Sequence, residues 1–278
     1  MEILRYTAFT SDPAGGNPAG VVLPADGLSD TRMQEIAAEL GFSETAFVSE
    51  LTDRRASVRY FAPAAEVPFC GHATIATGVA LAERHGAGAY VFATPVGDIA
   101  VDTEATSQGF RATLTSVEPQ IRGLEAAVRT ELLAILNLAE ADLDPELPTL
   151  LAFAGNWHPI IPVATVDVLD GFDYDYEALR TLMAEQGWQA TVDVVLRTGA
   201  ASFEARNPFP PGGMREDSAT GSAAASLGAY LRHLRIVEVP ATVMVAQGRH
   251  MGRPSTIEVH IPEHGGILVT GSAVELGA

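Results

Sequence analysis

No lysine occurs in the 278 residues; all 17 basic side chains are arginine. A chain without a side-chain amine forms no side-chain imine, which excludes lysine-based pyridoxal-phosphate chemistry and the Walker A phosphate grip. Cysteine is nearly as scarce. The one thiol, Cys70, cannot close an intramolecular disulfide, serve as a CxxC redox pair or supply a cysteine-rich zinc site. No apolar run reaches about 18 residues, and "MEILRYTAFT" lacks a basic start followed by an apolar segment, so neither a transmembrane helix nor a signal peptide is predicted. Positive charge is in deficit as well: 35 acidic residues leave a net charge of −18. Such a chain repels phosphate backbones and anionic lipid surfaces. The expectation is a cytoplasmic protein with a small-molecule partner, no nucleic acid and no membrane.

What is present is 47% hydrophobic residues, enough for one large core or two modest ones. "EILRYTAFT" alternates like a strand, "SDPAGGNPAG" turns, and "VVLP" begins a second strand. "LSDTRMQEIAAELG" has helical spacing between an N-cap, Ser29, and a terminal Gly41. "SETAFVSE" and "RASVRYFAP" read as strands. A helix is predicted from near His72 to about His85, others over roughly 123–137 and 175–187, and a small-residue helix in "SATGSAAASLGAYLRHL". Strands are predicted around 150–166, at 191–197 and at 200–207. Many strands with one long helix per half indicate an α+β fold.

The two halves echo each other. Placing Ala73-Thr74 over Ala219-Thr220, an offset of 146, aligns strand, Pro-containing loop and Ala/Gly/Ser-rich helix in both. Small residues in both helices fit tight burial within a curved sheet. Related halves could place the two helix N-termini across a cleft, where unpaired N–H groups and the positive dipole end favour an anion.

Candidate chemistry gathers at those helix starts, and each residue also has an ordinary structural reading. Glu44, at the start of an apolar strand, is either a solvated strand end or a base. His72 is a polar residue at a helix end or a catalyst. Asp217 reads by itself as an N-cap, Ser222 as a small packing residue and Cys70 as a buried hydrophobe. "HIPEH" spaces two histidines four apart, but its proline argues against a helix presenting both to a metal, so no metal site is predicted.

The ordered set "GNPAGVV", "GFSETAFV", "FCGHAT", "EDSATGSA" and "QGRHMGRPS", running from residue 16 to about 255, resembles the PhzF-like family, related in fold to diaminopimelate epimerase. The resemblance implies two similar domains, each a curved or barrel-like mixed sheet around a central helix, with the active site in the cleft between them. The expected division is 1–117 with 266–278, and 118–265. By the same resemblance, Glu44 is the base and His72 and Asp217 are further catalytic groups. Gly71, Ala73, Thr220, Gly221, Ser222 and Asn17 fall at substrate-binding positions. Family members are commonly homodimers and use neither metal nor organic cofactor. The related epimerases exchange protons between two cysteines, which one thiol cannot do.

The implied activity is a cofactor-independent isomerisation. Glu44 would take a proton from a carbon of a small carboxylate-bearing substrate and return it elsewhere, its basicity raised by exclusion of water. Helix-end N–H groups and Ser222 would hold the carboxylate. A racemase using carboxylate acid/base groups and a non-catalytic ligand-binding protein are the alternatives.

Overall fold

The computed structural model describes residues 1–277. The chain forms two compact units, Met1–Thr115 together with the segment from Thr270 onward, and Ser116–Val269. The first contains β1 (Glu2–Ala8), β2 (Asn17–Leu23), α1 (Asp30–Leu40), β3 (Glu44–Thr52), β4 (Arg55–Phe61), β5 (Glu66–Val67), α2 (Gly71–His85), β6 (Gly88–Thr94), β7 (Gly97–Thr106) and β8 (Gly109–Thr115). The second contains β9 (Gln120–Gly123), α3 (Ala126–Ile135), β10 (Leu150–Phe153), β11 (Trp157–Val163), α4 (Val166–Gly171), α5 (Tyr176–Gln186), β12 (Asp193–Gly199), β13 (Ser202–Pro208), β14 (Glu216–Asp217), α6 (Gly221–Leu234), β15 (Ala241–Gln247) and β16 (Ser255–Ile261). A last strand, β17 (Leu268–Glu275), returns to pair with β1.

In the first unit, strand pairing runs β1-β2-β3-β4-β6-β7-β8-β17 and back to β1, a closed barrel of eight strands. Two of its pairings, β2–β3 and β4–β6, are parallel. Helix α2 packs against β1, β2, β3, β7 and β8, and eleven of its fifteen residues are buried. A helix enclosed on every side has no polar face, which accounts for its run of Ala, Thr, Gly and Val. Gly78 marks the tightest approach: a Cβ there would lie 2.9 Å from Val101 Cγ1 and 3.0 Å from Ala112 Cβ. Helix α1 lies outside, with Met33, Ile36 and Ala37 packed on Val22, Phe47 and Phe61. Its ends are as predicted. The Ser29 side chain accepts from the Arg32 N–H, and Gly41 closes the helix in the left-handed region.

The second unit repeats the plan. Its strands pair in the order β9-β10-β11-β12-β13-β15-β16, with β11–β12 and β13–β15 parallel. Helix α6 packs against β9, β10, β11 and β16, and Gly228 sits where a Cβ would be 2.8 Å from Val259 Cγ1. Helices α3, α4 and α5 contribute Leu132, Leu133, Leu169, Leu179, Leu182 and Met183 to a separate core. Thus the expected α+β class, two similar units each with a curved mixed sheet and a central helix, is what the chain adopts.

Several local expectations shift. Helix starts differ by 221 − 71 = 150 rather than 146. The preceding strands β4 and β13 differ by 202 − 55 = 147, and the loop Phe209–Arg215 is longer than its counterpart Ala62–Ala65, which makes up the difference. The helix predicted over 123–137 is Ala126–Ile135, because Gln120–Gly123 is drawn into the sheet against β10. Helix α4, not predicted, is N-capped by Thr165, whose hydroxyl accepts from the Val168 N–H.

The packing at α2 and α6 yields a prediction. Gly78→Val or Gly228→Val overfills a site with no room for Cβ, and each is expected to lower unfolding stability by about 1–3 kcal/mol in urea titrations.

Candidate functional site

The sequence-predicted residues fall into two clusters, one in each unit. In the first, Cys70 is the N-cap of α2 in extended conformation and makes no side-chain capping bond, while Gly71, His72 and Ala73 form the first turn. The first-turn N–H groups have no intrahelical carbonyl to bond, so they form an anion-favouring end. Thr74 closes the entry by donating its hydroxyl to the Cys70 carbonyl at 2.7 Å.

His72 is buried, and the surrounding groups fix its proton. Burial pulls its pKa from the ordinary 6.5 down to about 3, so the ring is neutral at physiological pH. Its Nε2 lies 3.4 Å from Glu44 Oε2 and 3.1 Å from Ser43 Oγ. A carboxylate only accepts, so the ring proton facing Glu44 belongs on Nε2. On the other side Nδ1 lies 3.2 Å from Asn17 Nδ2 and 3.3 Å from Cys70 Sγ, both of which can donate. Parallel pairing of β2 with β3 sets Glu44 opposite Ala19 and so brings both strand starts to the mouth of α2. Glu44 keeps 12% of its side chain exposed, which leaves it reachable yet largely shielded from water.

In the second unit Asp217 is not the N-cap it resembles in sequence. It is held in β14 opposite Asn207, and the helix starts four residues later with Thr220 as N-cap. Asp217 Oδ2 instead accepts from the Thr220 hydroxyl at 2.7 Å. Gln247 completes the loop: its Oε1 accepts from the Thr220 N–H at 3.0 Å, and its Nε2 donates to the Asp217 carbonyl at 2.8 Å. Arg206 pairs with Glu216, donates to the carbonyls of Leu169 and Phe172, and lies over the Phe172 ring, which anchors β14 from outside.

Ser222, in the first turn of α6 after Gly221, is not a plain packing residue. Its Oγ is 3.0 Å from His158 Nε2. From His158 a buried relay runs inward: Nδ1 meets the Thr191 carbonyl at 2.9 Å and its hydroxyl at 3.0 Å, the Thr191 hydroxyl donates to Asn207 Oδ1 at 2.8 Å, and Asn207 Nδ2 donates to Asp193 at 2.8 Å. Burial lowers the His158 pKa to about 4 and raises that of Asp193 to about 7, the Asn207 bond opposing the latter in part. Sequence reasoning gives no individual role to His158, Asp193, Asn207, Gln247 or Ser43, although "GNWHPI" and "FEARNPFPP", which hold His158 and Asn207, are stretches expected to shape substrate choice, and Ser43 and Gln247 lie inside "GFSETAFV" and "QGRHMGRPS". The internal repeat held the signal for one of them: Asp193 opens β12 as Glu44 opens β3, each in a corresponding parallel pair, β11–β12 and β2–β3.

Two groups bring three potential metal ligands within 4.8 Å among the described residues: Glu44, Cys70 and His72, and Asp170, Glu204 and His250. In the second, Arg249 donates to both Asp170 and Glu204 and supplies the positive charge itself. The first offers carboxylate, thiol and imidazole, a set suited to a zinc-like ion once the thiol and the ring nitrogen shed their protons.

The buried titratable groups make stability depend on pH in opposite directions. Asp193, with its folded pKa raised from 3.8 to about 7, binds its proton more tightly folded than unfolded, so its contribution is lost as pH rises from about 4 through 7. His72 and His158 are depressed, so stability falls as pH drops below about 6.5 and the unfolded chain takes up those protons first. Asp193→Asn keeps an acceptor for Asn207 and removes the cost of ionisation. It is expected to stabilise the protein at pH 8 on the order of 2–4 kcal/mol, with the gain vanishing near pH 4, as read by urea unfolding across pH.

Comparison with known proteins places this geometry in a family. The family model described as phenazine biosynthesis-like protein matches residues 6–277. "Uncharacterized isomerase YddE" of Escherichia coli O157:H7 is 36% identical over 287 aligned residues, covering 99% of this chain and 96% of that protein. The trans-2,3-dihydro-3-hydroxyanthranilate isomerase of Pseudomonas chlororaphis is 32% identical, covering 89% of this chain and 86% of its own. The crystal structure of a Bacillus anthracis phenazine biosynthesis protein of the PhzF family superposes with a TM-score of 0.86 at 30% identity, covering 100% of this chain and 98% of that one. The chain is therefore an isomerase and belongs to the phenazine biosynthesis-like protein family.

Proposed function

We propose that the protein carries out a cofactor-independent proton transfer within one small carboxylate-bearing substrate, with Glu44 as the proton acceptor. The observation that carries this reading is the Glu44–His72 pair, a shielded carboxylate 3.4 Å from the Nε2 of a neutral, buried imidazole. In the reaction a substrate C–H bond breaks, its proton passes to the Glu44 carboxylate, and the electron pair delocalises into the adjacent unsaturated system. Protonated Glu44 then returns the proton to another carbon, so the double bond moves and no external oxidant or reductant is used. His72, donating from Nε2, orients the carboxylate and releases it as the proton arrives. The N–H groups at a helix start such as that of α2 or of α6 suit a carboxylate or developing negative charge. Asp217, hydrogen-bonded by Thr220, is a second acid/base candidate. The relative from Pseudomonas chlororaphis bears the name of a small cyclic acid, which supports a substrate of that class.

The test is mass spectrometry of a pool of small carboxylic acids, including trans-2,3-dihydro-3-hydroxyanthranilate, incubated with the protein in D₂O. Label is expected in one acid with the intact protein. Glu44→Gln is expected to slow its uptake by about 10²–10⁴-fold, the range for loss of a general base. Cys70→Ala should slow it far less, and prior treatment with a chelator should leave it unchanged. Uptake that survives Glu44→Gln, or that chelation abolishes, counts against the proposal.

A further inference from the structure

His158 is fully buried, and the hydrogen bonds around it determine which way the Ser222 hydroxyl points. The relay Asp193–Asn207–Thr191–His158–Ser222 could in principle run in either direction. In one, each hydroxyl and amide donates inward and Ser222 donates to His158; in the other, a protonated Asp193 starts the chain and His158 donates from Nε2 to Ser222. The Thr191 backbone carbonyl decides between them. It can only accept, and it lies 2.9 Å from His158 Nδ1. Nδ1 therefore carries the ring proton, shared between that carbonyl and the Thr191 hydroxyl oxygen at 3.0 Å. The Thr191 hydroxyl is then free to donate to Asn207 Oδ1, and the neutral ring leaves Nε2 as a lone pair facing Ser222 Oγ at 3.0 Å.

We propose that His158 is a positioning residue that takes the Ser222 hydroxyl as a donor, so that Ser222 meets a ligand as a hydrogen-bond acceptor rather than as a donor to its carboxylate. The functional part of this rests on the proposed function, in which the start of α6 binds the substrate. It reverses the role expected for Ser222 in the sequence analysis, where it would donate to the carboxylate. Any anionic oxygen held at this helix end then draws on backbone N–H groups, and Ser222 Oγ receives a proton-bearing group of the ligand. At the duplicated position in the first unit His72, also second in its helix, likewise directs its proton at a neighbouring side chain, Glu44, from Nε2.

Long-range ¹H–¹⁵N NMR of the histidine-labelled full chain, without ligand, reads the tautomer directly. His158 is expected as the Nδ1–H form with an unprotonated Nε2, and Ser222→Ala should shift the Nε2 resonance while leaving the tautomer unchanged. An Nε2–H tautomer overturns the proposal whether or not any variant folds. In the deuterium-uptake assay with the same pool of acids, His158→Leu and Ser222→Ala should each slow uptake by about 10- to 100-fold. The double variant should be no slower than either single one; additive losses would mean that the two residues act separately and would count against the proposal. Absence of uptake by the unaltered protein would defeat the proposed function alone, since the tautomer is read without substrate.

Discussion

Helix α2 runs through a ring of eight hydrogen-bonded strands, and an enclosed helix must be narrow on every side because the ring cannot expand to admit larger side chains. That restriction explains Gly78 against Val101 and Ala112, and Gly228 against Val259 in the second unit. It also confines the chemistry. Along an apolar, surrounded helix the backbone bonds are internally satisfied, so the unpaired N–H groups and any polar side chains that meet them collect at the first turn. His72, which is buried, and Ser222, which is partly exposed, each occupy the second helical position, held by the strands around it.

The same plan used twice has produced two different proton arrangements. One parallel strand pair in each unit presents a carboxylate at its start, Glu44 in β2–β3 and Asp193 in β11–β12. Glu44 remains partly exposed and faces a histidine. Asp193 is sealed, is bonded by Asn207, and has its pKa pushed up to about 7 by burial. A carboxyl group that cannot reach solvent serves as the end of an internal network, because leaving its partners unpaired in a low-dielectric interior costs more than the network itself. The divergence therefore lies in accessibility more than in residue type.

Some errors of the sequence reading share one cause. Asp217 precedes an alanine-rich helix as an N-cap would, yet pairing of β14 with β13 holds it in a strand and passes the capping position to Thr220. Gln120–Gly123 lies beside a helical pattern, yet β10 recruits it as a strand. In both cases a partner distant in sequence supplies the backbone hydrogen bonds that local propensity would have spent otherwise. Ser29 and Gly41 were legible because their capping bonds close within a few residues.

By itself the sequence determined the absence of lysine and thiol-pair chemistry, the two-part α+β plan, the two small-residue helices and the motif residues Glu44, His72, Asp217 and Ser222. Composition and short-range periodicity are sufficient for the missing chemistry and the two helices, the internal echo for the two-part plan, whereas the motif residues came from the ordered motifs that resemble the PhzF-like family. Only the tertiary structure decided that Asn17 and Ser43 surround His72, that His158 bonds Ser222, and that a relay of Thr191 and Asn207 joins His158 to Asp193. Those partners lie on separate strands, brought together by sheet register, and hydrogen-bond direction follows from acceptors such as the Thr191 carbonyl that no side-chain pattern reveals.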